Sequence, residues 1–148
     1  MTGPVGLLVI AAALAGITLG SYAWRLTRLD PSPQRLIGEL RLAQLAAVLY
    51  ATTGAIWIGF AIVAGTNVLA NVDVTLVVMA VVVAAFSLQL EPRAALLTLS
   101  VAFVVHALVD IAHRPGMLAP TIAPQRFIVG CAAYDVYLAA ICFWARGR

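Results

Sequence analysis

Residues 127–144 read FIVGCAAYDVYLAAICFW: eighteen positions with a single charged side chain, Asp135, near their middle. Residues 94–112, AALLTLSVAFVVHALVDIA, are as apolar and carry His106 and Asp110 toward their far end, with His113 directly after them. Each stretch is long enough to cross a hydrocarbon core about 30 Å thick. A bare charge at that depth costs about 3 kcal/mol or more, so the fold has to compensate each one.

Three further apolar runs lie upstream, at 4–24, 42–64 and 72–88, the last being the shortest. Hydrophobic residues make up 64% of the 148 positions and charged ones 10%, with a mean hydropathy of +1.04. Soluble domains hold about 45–50% apolar and about 25% charged residues. A water-soluble fold of this composition would have to hide nearly all of its surface, which a chain of this length cannot do. The expected fold is therefore an all-α integral membrane protein. A single transmembrane domain spans residues 1–148, built as a five-transmembrane-helix bundle with spans at about 4–24, 42–64, 72–88, 94–112 and 127–144. The first residues lack the basic segment of a signal peptide, so the first run reads as a retained span.

The connections carry breakers where a bundle needs them. In the link 25–41, Asp30-Pro31-Ser32-Pro33 interrupts the chain, with Ser32 as N-cap and Pro33 as first helical residue. A helix starting there runs along the membrane surface into span two, with Arg35 and Glu39 paired on its exposed side. Glu91-Pro92-Arg93 restarts the chain between spans three and four, and Arg114-Pro115-Gly116 closes span four. All nine basic residues are arginine. Seven of them (25, 28, 35, 41, 93, 146 and 148) fall on one side and two (114 and 126) on the other. The positive-inside rule then puts the amino terminus outside and the carboxyl terminus in the cytoplasm, with Trp24 and Trp144 at one interface. Arginine without lysine in an Ala/Val/Leu-rich chain suggests a GC-rich bacterial genome, and hence the bacterial inner membrane.

Several chemistries are excluded by pattern. The net charge of +3 sits at span ends without a basic stripe or interleaved aromatics, so no nucleic-acid partner is expected. Cys131 and Cys142 are eleven residues apart on one predicted helix, about 16 Å along its axis and out of disulfide reach. No P-loop, dinucleotide fingerprint or nucleophile elbow occurs, and no cofactor is expected.

His106, Asp110 and His113 are spaced i, i+4, i+7 and share one helical face. His113 then lies at the outer interface, Asp110 one turn below and His106 roughly 10 Å deep. Asp135, entering from the same side on span five, lies roughly 12–15 Å down. With spans four and five adjacent across a short link, His106 and Asp135 approach each other and stabilise one another's charge. Asp135, His106 and Asp110 are the candidate catalytic residues, an acid–base set that hands over protons. The structural alternative is an interhelical polar clamp. His106 and Asp110 are spaced to share a metal ion, but with only two histidines in the chain a metal site is short of ligands, and none is expected.

Tyr134, Tyr137, Tyr50, His113 and Cys131 are the candidate ligand-binding residues, lining a pocket between spans four, five and two. A tyrosine in a span more often packs and finds a carbonyl for its hydroxyl. Gly16 and Gly20 form a GxxxG that permits close helix approach and supports dimerisation only weakly. The architecture, a compact helical membrane enzyme presenting histidine and carboxylates to a lipophilic substrate, resembles sterol isomerases and membrane terpene cyclases, though no motif of theirs is matched. The expected function is binding or acid–base conversion of a small lipophilic, isoprenoid-like molecule by an isomerase- or cyclase-type enzyme. Two other classes fit the composition: an accessory subunit held by a partner membrane subunit, and a homo-oligomeric proton- or ion-coupled transporter.

Overall fold

The computed structural model describes residues 3–63, 72–112 and 125–146. They form five helices in chain order: α1 (Pro4–Leu26), α2 (Pro33–Val63), α3 (Val72–Ser87), α4 (Pro92–Ala112) and α5 (Gln125–Arg146). Among the described residues there is no strand. Four helices are long and apolar enough to cross a membrane, over Gly6–Leu26, Pro33–Phe60, Pro92–Ala112 and Gln125–Arg146. The third expected span is shorter: α3 has 16 residues. At 1.5 Å per residue it is about 24 Å long, less than a typical hydrocarbon core.

Helix α2 begins where the sequence signals it, with Pro33 in its first turn and the Arg35 amide donating to the Ser32 hydroxyl at 3.3 Å. Its 31 residues extend about 46 Å, longer than a hydrocarbon core, and its first turns carry Arg35 and Glu39. The Arg35–Glu39 pair forms there, at 3.0 Å, but it is buried rather than on an exposed side: Glu39 is 1% accessible and Arg35 5%. The reason is tertiary. Arg93, in the first turn of α4, donates to the second oxygen of Glu39 at 3.3 Å, and Arg35 Nη1 donates to the Leu29 carbonyl at 3.1 Å. One carboxylate thus ties the α1–α2 link to the α3–α4 turn.

The core is built largely from alanine and leucine. Ala23, Ala43, Ala46, Ala95, Ala139 and Ala145 are buried beside Leu42, Leu96, Leu99, Phe103 and Leu138. Small side chains bring α4 close to α5, close enough for the Ser100 hydroxyl to donate to the Ala139 carbonyl at 2.9 Å. Helix α1 closes on α5 through its glycines. The Tyr137 hydroxyl donates to the Gly16 carbonyl at 3.1 Å, and a Cβ on Gly16 would fall 2.8 Å from Tyr134 Cε2. The GxxxG face is therefore filled by the chain's own tyrosines. At the opposite end Trp24 and Trp144 stack with ring centroids 5.5 Å apart, and Arg28 lies over the Trp24 ring. The outer faces remain apolar, with Leu7, Ile17, Val78, Val101 and Val129 more than half exposed.

Candidate functional site

The close packing of α4 on α5 brings the two ionisable stretches together. His106 Nδ1 lies 2.6 Å from Asp135 Oδ2. Asp135 is at the midpoint of α5 and wholly buried, Asp110 is 1% accessible, and the His106 side chain 11%. At that separation imidazole and carboxylate are hydrogen-bonded, and each offsets part of the other's cost of burial. The second carboxylate oxygen, Asp135 Oδ1, is buried and has no hydrogen-bond partner among the described residues. Asp110 follows His106 by one turn, and one ligand atom from each of His106, Asp110 and Asp135 lies within 4.8 Å of the other two. From sequence a metal had only His106 and Asp110 within reach; Asp135 brings a third ligand from the neighbouring helix.

On its other side His106 lines an apolar crevice of about 420 Å³. Leu76, Met79 and Val83 of α3 form one wall, Val101, Val105 and Val109 of α4 the other, and Tyr50 of α2 the floor. Met79, Val101 and Val105 at its rim are about half exposed. Tyr50 meets His106 edge to face at 6.0 Å between centroids and Phe103 at 5.0 Å, which fixes the imidazole from behind. The crevice lies between spans two, three and four, so span three takes the wall that the sequence reading gave to span five.

The expected ligand-binding residues do not share one pocket. Tyr50 stands with His106. Tyr134 and Cys131 line a separate cleft of about 260 Å³ between α1, α2 and α5, with Arg126 and Phe127 also on its wall. The Tyr134 hydroxyl is buried there without a hydrogen-bond partner among the described residues. Tyr137 lines neither of these two cavities; its hydroxyl donates to the Gly16 carbonyl of α1. His113 lies outside the described residues. The buried Glu39 cluster and the Ser100 bond were not read from the sequence. A lone acid flanked by apolar residues at the start of α2 was the signal for the first, while nothing distinguished Ser100 from a packing serine. No protein-family model, no curated protein and no solved structure matches the chain, so its function is argued from this geometry alone.

Proposed function

We propose that this chain is a single-domain membrane protein that binds a small lipophilic, isoprenoid-like molecule in the α3–α4 crevice and moves protons on it through His106 and Asp135. The observation that carries the reading is the two-sided placement of His106, which touches a buried carboxylate on one side and an apolar crevice on the other. The crevice volume lies within the range of small-molecule sites, roughly 300–1,000 Å³. Its walls are aliphatic, and its polar side chains, Tyr50, His106 and Thr98, are few. A hydrocarbon body with one polar or unsaturated group fits that lining. Asp135 fixes the imidazole orientation and takes or returns the Nδ1 proton, while the other face of the ring serves the ligand. An isomerisation or cyclisation adds a proton at one carbon and removes one at another, so it needs no outside oxidant or reductant. Asp110, one turn away, is the second carboxylate of the set.

The bundle carries five spans in this reading, α3 being accommodated by tilt of its neighbours or local thinning of the bilayer. Six of the seven arginines among the described residues belong to the end where Trp24 stacks on Trp144, which supports a cytoplasmic carboxyl terminus, an external amino terminus and residence in a bacterial inner membrane.

The test is native mass spectrometry of protein extracted gently from its own membranes, with released small molecules identified. Wild type is expected to retain a discrete lipophilic compound. His106→Ala and the crevice-filling Val83→Trp should both lose it while helical content is kept. Equal retention by wild type and Val83→Trp would remove the crevice from the proposal.

A further inference from the structure

Two carboxylates and one imidazole meet between α4 and α5, with Asp135 in hydrogen-bond contact with the His106 imidazole. We infer that His106, Asp110 and Asp135 bind a divalent cation of the zinc class. The inference stands on these three side chains and does not depend on the lipophilic ligand.

Charge is the first argument. Asp110 and Asp135 are both buried beside one imidazole, and a cation among them offsets the cost of burying carboxylate charge. A divalent ion with two carboxylates and a neutral imidazole sums to zero.

Donor chemistry and spacing are the second argument. Imidazole nitrogen and carboxylate oxygen bind zinc at about 2.0–2.2 Å, which sets neighbouring ligands on a tetrahedral ion about 3.3 Å apart. The His106–Asp135 separation, 2.6 Å, lies just below that spacing, and the widest separation in the cluster, within 4.8 Å, lies above it. Asp135 Oδ1, buried and without a hydrogen-bond partner among the described residues, is a ligand atom already stripped of competing bonds. One nitrogen and two oxygen donors suit zinc, which outranks manganese and iron at such sites in intrinsic affinity. Three protein ligands leave a fourth position open, as in zinc sites that bind water or substrate.

The experiment uses the full chain in lipid nanodiscs, treated with chelator and titrated with zinc chloride, and in parallel with cobalt chloride as a spectroscopic probe. Wild type is expected to bind one ion per chain and to give the intense visible absorption of tetrahedral cobalt. Asp110→Asn should bind on the order of tenfold more weakly or worse, given that even outer-shell changes cost that much. His106→Gln, which keeps a hydrogen-bonding group opposite Asp135, should abolish the cobalt spectrum while helical content and melting temperature stay near wild type. No saturable binding by wild type, or equal binding by wild type, Asp110→Asn and His106→Gln, would overturn the site. Retention of the lipophilic compound, measured on the chelator-treated protein, reports separately on the crevice, so either proposal can fail alone.

Discussion

His106 and Asp135 sit 2.6 Å apart although 29 residues separate them in the chain, and their contact joins the Ser100–Ala139 bond in tying α4 to α5. Asp135→Asn keeps a hydrogen-bonding group at the same place and removes the carboxylate. The expected result is a folded protein, destabilised by about 1 kcal/mol, that no longer exchanges protons with a bound ligand. Asp135→Leu leaves His106 facing an apolar group and sets the scale of the clamp contribution; by comparison with interhelical polar contacts in other membrane proteins it should cost about 0.6–2 kcal/mol. Reversible unfolding in mixed micelles measures both. An Asn variant with full ligand turnover would reduce the pair to a clamp.

The Glu39 cluster predicts a graded series. Glu39→Ala strands the buried Arg35 guanidinium, whose Nη2 already lacks a hydrogen-bond partner among the described residues, and should cost about 3–5 kcal/mol. Arg93→Ala removes a side chain that is 55% exposed and should cost under about 1 kcal/mol. The same unfolding assay checks the order, and a larger loss from Arg93→Ala than from Glu39→Ala would contradict the burial seen here.

Much of this architecture was legible because the membrane forces backbone bonds inside each segment, so length and hydropathy locate helices well. The start of α2 at Ser32-Pro33 was readable from local capping chemistry. The His106–Asp135 approach was readable because a short link and a fixed rise per residue place both groups at one depth. Helix rotation was not. Whether Tyr137 faces a pocket or α1, and whether Glu39 faces water or Arg93, depends on which neighbour each face meets. Near-uniform apolarity around each helix removes the polar stripe that would have told those faces apart. For the same reason the wall of the crevice was assigned to span five when α3 supplies it.

Orientation makes a prediction independent of the site. With the arginine-rich end in the cytoplasm, a fluorescent reporter fused after Arg148 should fold and emit, while a reporter active only outside the cytoplasm should be silent there. Adding arginines beside Arg114 and Arg126 should reduce that asymmetry and yield mixed insertion. An active external reporter on the unmodified chain would reverse the orientation.

The packing of α1 on α5 rests on Gly20, where an added Cβ would lie 2.5 Å from the Tyr137 hydroxyl and 3.4 Å from Ile141 Cδ1. Gly20→Ala therefore has to displace the tyrosine ring, and with it the bond to the Gly16 carbonyl. We expect a loss of about 1–3 kcal/mol from overpacking. Tyr137→Phe alone deletes the bond without a clash and should cost about 0.6 kcal/mol, the usual size of an interhelical hydrogen bond in a membrane protein. Removing the hydroxyl also makes room for the methyl group, so the double variant should be less destabilised than the sum of the two singles. A double-mutant cycle measures that coupling directly. Additive losses would mean that α1 yields at Gly20 by moving as a whole, and that its contact with Tyr137 does not fix its position on the bundle.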